Sequence, residues 1–117
     1  MPAALARVLP IVLLACSNLF MNVAWYGHLK APNRAIWLAV LASWGIAFFE
    51  YALAVPANRI GSQVYSLAQL KTLTEVFSLA GFVVVAWLLF GERPGLSTLI
   101  GFALIAAGAF FIFKTPL

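Results

Sequence analysis

Three side chains in this sequence carry charge inside otherwise apolar stretches: Glu50, Lys71 and Glu75. A carboxyl group in a medium of low dielectric keeps its charge only beside a cation or strong hydrogen-bond donors, and otherwise holds a proton. One that alternates between a proton and a solute cation is the minimal device for proton-coupled exchange. The spacing offers Lys71 two partners. Glu75 stands four residues after it on the same helix face, although with the lysine first, which is the weaker order. Glu50 lies on the preceding segment, at a comparable distance from the connecting break. The reading adopted makes Glu50 and Lys71 a supporting ion pair, so that Glu75, without a fixed partner, binds the substrate or proton. The competing reading is a structural triad of all three that locks two helices together.

Polar and aromatic residues recur around these charges. Asn18, Asn22, Trp25 and Leu29 follow the i, i+4, i+7 spacing of one helical face. Amides at that depth either hydrogen-bond across helices or face a wet cavity. Trp44 and Tyr51, seven residues apart, share a face of the second segment, and aromatic walls suit a cation. The expected cavity is therefore lined by Glu75, Asn18, Asn22, Trp44 and Tyr51. With one histidine, His28, and one cysteine, Cys16, neither a histidine-built metal site nor a disulfide framework is available. No catalytic triad or phosphate loop stands out either, so neither an enzyme nor a bound metal or cofactor is expected.

The elements that must position these groups follow from composition. Of 117 residues 65% are hydrophobic and 9% charged, whereas a soluble domain carries about a quarter charged residues to solvate its surface. The missing polarity makes the lipid bilayer the solvent. The net charge of +4 sits at the ends of apolar runs, where Lys and Arg meet headgroups, so nucleic acid is not an expected partner. Four segments, about 8–29, 35–56, 66–90 and 95–113, reach the length of about 20 residues that a helix needs to cross hydrocarbon. Breaks are expected at Lys30-Ala31-Pro32-Asn33-Arg34, at Pro56-Ala57-Asn58-Arg59-Ile60-Gly61 and at Gly91-Glu92-Arg93-Pro94-Gly95. The expected fold is all-α: a single four-helix transmembrane domain over 1–117.

On this layout Glu50 lies roughly 9 Å and Lys71 roughly 8 Å below one surface, with Glu75 a turn deeper at roughly 13 Å, at 1.5 Å per residue. Arg7, Arg59 and Lys114 fall on one side of the membrane, with Lys71 as a fourth if it reaches the surface, and Lys30, Arg34 and Arg93 on the other. The balance gives almost no positive-inside bias, which suggests dual topology and an antiparallel homodimer. Gly101 and Gly108 lie two turns apart on the fourth segment and form a candidate dimer seam, unless they pack within the monomer.

The run Leu99-Ile100-Gly101-Phe102-Ala103-Leu104-Ile105-Ala106-Ala107-Gly108 resembles the dimerising fourth helix of small multidrug resistance transporters, and Phe90-Gly91-Glu92-Arg93 resembles the turn before it. Ser17-Asn18-Leu19-Phe20-Met21-Asn22, Ser43-Trp44-Gly45-Ile46-Ala47-Phe48-Phe49-Glu50-Tyr51 and Val55-Pro56-Ala57-Asn58-Arg59-Ile60-Gly61 more closely resemble a bacterial four-helix membrane family of unknown function in the drug/metabolite transporter superfamily. That likeness implies an inverted dimer around a central cavity, in a bacterial inner membrane, moving a small polar or cationic solute or drug. The alternative is a non-transporting assembly subunit, or half of a heterodimeric transporter. The small multidrug family carries its essential glutamate in mid first helix, where this chain has Ser17 and Asn18. Its coupling residue therefore has no counterpart at that position, so either Glu75 or Glu50 replaces it or coupling is absent.

Overall fold

The computed structural model describes residues 2–114. It contains α1 (Ala3–Tyr26), which runs into a short 3-10 turn (Gly27–Lys30), then α2 (Ile36–Gly61), α3 (Leu67–Phe90) and α4 (Leu96–Lys114). All four helices are long and apolar enough to cross a membrane. The protein is an all-α, four-helix membrane protein. Hydrocarbon offers no partner to a free amide or carbonyl, so the chain satisfies its backbone within helices.

Two of the three expected breaks are connectors. The third is not. The run Pro56–Gly61 belongs to α2, and the turn lies at Ser62–Ser66. Pro56 removes one helical hydrogen bond, a loss that membrane helices tolerate. Packing holds the segment helical: Ala57 is fully buried, and Gly61 lies so close to its neighbours that an added Cβ would come 2.6 Å from Leu70 Cδ2 and 3.3 Å from Pro10 Cβ. The ends of α3 are written in its sequence. Ser66 and Gln69 form a reciprocal capping box, with Ser66 Oγ accepting from the Gln69 amide at 3.1 Å and Gln69 Oε1 from the Ser66 amide at 3.0 Å. At the other end Gly91 takes a left-handed φ of 65°, and the amides of Gly91 and Glu92 close onto the carbonyls of Trp87 and Ala86.

Helix α1 lies between α2 and α3, and α4 leans on α3. The result is a slab of 47 × 34 × 19 Å, at most two helix diameters thick. The buried residues Ala6, Pro10, Leu14, Asn18 and Asn22 recur every four positions along α1, the ridge that helices use when they cross. Leu14 meets Ala57 and Leu70 where three helices converge beside the α2–α3 turn. Tyr65, in that turn, donates its hydroxyl proton to the Arg7 carbonyl at 2.8 Å and ties the turn to α1. Helices α2 and α3, expected to be neighbours because a short turn joins them, meet chiefly at that turn, since α1 occupies the space between them.

Candidate functional site

The charged groups are paired differently from the sequence expectation. Lys71 Nζ lies 2.9 Å from Glu75 Oε1, and among the described residues this is the ion pair that Lys71 makes. The expected Glu50–Lys71 pair does not form. Its premise was that α2 and α3 run side by side, and α1 separates them. A single turn of α3 brings Glu75 within reach instead. Both side chains project outward, 72% and 56% exposed among the described residues, on the outer face of α3. Glu75 is thus held by a lysine on the outside of the monomer, apart from the groove that Glu50 lines.

Glu50 occupies the position that the sequence reserved for Glu75. It is half-buried in a groove of 590 Å³ whose other lining residues include Met21 of α1 and Trp44, Phe48 and Tyr51 of α2. No cation pairs with it among the described residues. Because α2 continues through Pro56 to Gly61, Glu50 lies roughly 16 Å from one helix end and 21 Å from the other, at 1.5 Å per residue, and so near mid-span. That is deeper than the break at Pro56 implied. Trp44, Phe48 and Tyr51 fall on one face of α2 by the i, i+4, i+7 rule. Trp44 is 74% exposed, so this aromatic wall is open on the side away from α1. Beside the groove, Phe49 stacks on Phe20 of α1 at 5.7 Å and meets the groove residue Phe48 edge-on at 5.7 Å. The groove joins a carboxyl group to aromatic faces in an apolar setting, a combination that attracts organic cations.

Asn18 and Asn22 do not line this groove. They are 4% and 3% exposed and sit on the buried ridge of α1. The Asn18 amide donates to the Leu14 carbonyl at 2.8 Å. Asn22 spends both amide hydrogens, one on the Asn18 carbonyl at 2.8 Å and one across the helix boundary on the Ser78 carbonyl at 3.0 Å. Their place is the α1–α3 seam. Gly81 makes the approach possible, since a Cβ there would lie 3.0 Å from Asn22 Nδ2. Sequence reasoning passed over Gly81, although a lone glycine inside an apolar span is a signal of close helix contact. It likewise passed over Met21 and Phe48, whose apolar types carry no mark of a site.

Gly101 and Gly108 stand on open surface, with nothing within 4 Å of where a Cβ would be. They do not pack inside the monomer. Trp25 and His28 line a different groove, at the α1–α2 connector. Among the described residues no group of three or more His, Cys, Asp or Glu side chains is placed to hold a metal ion.

A family model described as "Putative member of DMT superfamily (DUF486)", DMT standing for drug/metabolite transporter, matches residues 10–113. That span takes in α2 and α3 whole, most of α1 and α4, and every residue of the groove. No curated protein and no solved structure matches the chain.

Proposed function

The chain belongs to this drug/metabolite transporter family, and from that premise we propose that it is a transporter subunit of the bacterial inner membrane, moving a small polar or cationic solute across the bilayer as an antiparallel homodimer. Glu50 carries the reading. An ionisable group at mid-span is expensive in lipid and marks a substrate or proton path by default. Glu50 has no cation partner among the described residues, an aromatic wall beside it and an open side. The carboxyl group alternates between a proton and the solute cation, while Trp44, Phe48 and Tyr51 hold the cation by their ring faces. Exchange of one for the other couples solute movement to a proton gradient.

The dimer is supported by three uncovered features: the aromatic face of α2, the outward Lys71–Glu75 pair and the glycine face of α4. Charges facing lipid are costly, and a second copy would shelter them. With Lys71 engaged inside the span, three cations remain at each end: Arg7, Arg59 and Lys114 against Lys30, Arg34 and Arg93. That balance favours insertion in both orientations.

The test uses liposomes with an imposed pH gradient and a lipophilic aromatic cation such as tetraphenylphosphonium as probe. Glu50→Gln keeps the shape of the carboxylate and removes its charge, so cation binding should weaken about tenfold or more and proton-linked flux should be lost, with folding intact. Undiminished proton-linked flux in that variant overturns the role of Glu50. The uncovered α4 face also fits a non-transporting subunit or half of a heterodimer. The purified chain forming no homodimer and carrying no probe would favour that reading.

A further inference from the structure

The connector between α1 and α2 builds a second groove, of 450 Å³, apart from the Glu50 groove. Trp25, His28 and Arg34 line its mouth, and Ala39, Val40 and Ser43 of α2 line its length. The mouth lies where two spans end, at the level of lipid headgroups. Ser43 lies seven residues along α2 from Ile36, so the groove reaches roughly 10 Å towards the hydrocarbon at 1.5 Å per residue.

The cations at this end of the molecule are not equivalent. Lys30 Nζ lies 6.0 Å from the centre of the Phe90 ring, and the Arg93 guanidinium lies 6.0 Å from the Trp87 ring. Arg34 has neither a ring nor a carboxylate partner among the described residues, and it is the one of the three that lines the groove. Beside it α2 begins with no side-chain cap and no acidic residue in its first turn, so no side chain there competes for an anion. An imidazole presents a ring N–H in either tautomer, so His28 adds a donor. Trp25, 60% exposed, places an amphipathic ring at headgroup depth.

The occupant of such a site is an anion at one end and apolar at the other. We infer that this groove binds one anionic phospholipid, with its phosphate held by Arg34 and His28 and an acyl chain lying along Ala39 and Val40. A free phosphate would leave the apolar length uncovered, and an uncharged lipid would leave Arg34 unmatched. Basic pockets between spans hold acidic headgroups for the same reason. The inference does not depend on transport or on Glu50.

The full chain, purified in a neutral detergent, is titrated with short-chain phosphatidylglycerol, and retained lipid is counted by native mass spectrometry. One tightly retained molecule per chain is expected. Arg34→Gln removes a charge-assisted contact and should weaken retention about tenfold or more. Lys30→Gln, at a residue that lies over Phe90 and does not line the groove, acts on it through the surface potential and should weaken it no more than about fivefold. Matched phosphatidylcholine should be retained poorly, and inorganic phosphate should not displace the lipid at equal concentration. Retention unchanged in Arg34→Gln, an equal loss in Lys30→Gln, equal retention of phosphatidylcholine, or displacement by inorganic phosphate each overturns the site. Thermal unfolding of each variant without lipid shows whether a loss of retention comes from loss of the fold; if Arg34→Gln unfolds, Arg34→Lys, which keeps the charge, must retain the lipid.

Discussion

The α1–α3 seam predicts a change of sign. Gly81→Ala places a methyl group 3.0 Å from Asn22 Nδ2 and 3.4 Å from Leu19 Cδ2, distances at which a neighbour must move. The amide cannot retreat freely, because its two hydrogens are bound at 2.8 Å to the Asn18 carbonyl and at 3.0 Å to the Ser78 carbonyl. Overpacking costs about 1–3 kcal/mol. A strained interhelical hydrogen bond in a membrane forfeits about 0.6 kcal/mol, up to about 1.7. Against this, alanine is favoured over glycine inside a helix by about 1 kcal/mol. Gly81→Ala alone should therefore destabilise the protein by about 1–2 kcal/mol. Asn22→Ala removes the obstacle and both donors, at a cost of about 1–2 kcal/mol of its own. In that background the methyl group keeps Leu19 Cδ2 at 3.4 Å, the far end of a flexible side chain, and the Asn18 carbonyl oxygen at 3.7 Å, and the helix preference remains, so Gly81→Ala should stabilise by about 0.5–1 kcal/mol. Reversible unfolding in mixed micelles at increasing mole fraction of sodium dodecyl sulfate reads all four corners of the cycle. Two costs that add to within about 0.5 kcal/mol would refute the reasoning, since additivity is the behaviour of residues that do not touch.

Two further substitutions separate structure from transport. Lys71→Met leaves Glu75 in the span without its cation and should lower membrane insertion, while Lys71→Met with Glu75→Leu should restore insertion and keep probe flux; a folded double variant without flux would return the binding role to Glu75. At Gly101 and Gly108 an added Cβ has nothing within 4 Å among the described residues, so Gly101→Leu with Gly108→Leu should not lower monomer stability, helix preference raising it by about 1–1.5 kcal/mol, while dimer formation falls in a crosslinking or energy-transfer assay; unchanged dimer formation would remove α4 from the interface.

Much of the architecture was legible because hydrophobicity and turn chemistry are local. The connectors at 30–34 and 91–95 combine proline or glycine with cations, and the structure has its connectors there. Pro56 misled because the run Pro56–Gly61 has the same composition, and only the packing of Ala57 and Gly61 against α1 and α3 makes it helical. That information lies in residues more than forty positions away, at Pro10 and Leu14. The site shows the same division. Trp44 and Tyr51 line one groove, and an aromatic pair at helical spacing around a carboxylate is a local pattern. Which carboxylate it surrounds was not local. Choosing Glu75 required α2 and α3 to be neighbours, and the order of helices in the slab, with α1 in the middle, is decided by the Asn22–Ser78 and Gly81 contacts that sequence spacing alone does not pair.

The placement of Glu50 in a groove and of Glu75 in an ion pair also changes what the proposed mechanism requires. Alternating access needs a site that two structural halves can close from either side. A slab 19 Å thick has no second half: its carboxyl group lies in a wall, and among the described residues the groove in front of Trp44 and Tyr51 is lined by α2 and by Met21 of α1. If Glu50 binds the solute, another surface must complete the chamber. A copy related by inversion would set a second Glu50 and a second aromatic face opposite the first, giving two titratable groups around one solute. Such a pair titrates as a unit, with two macroscopic steps. Proton-linked flux in a mixed dimer of wild-type and Glu50→Gln chains should then fall well below the mean of the two homodimers. Flux equal to that mean would show that each chain works alone, and would leave the reading of a shared chamber without support.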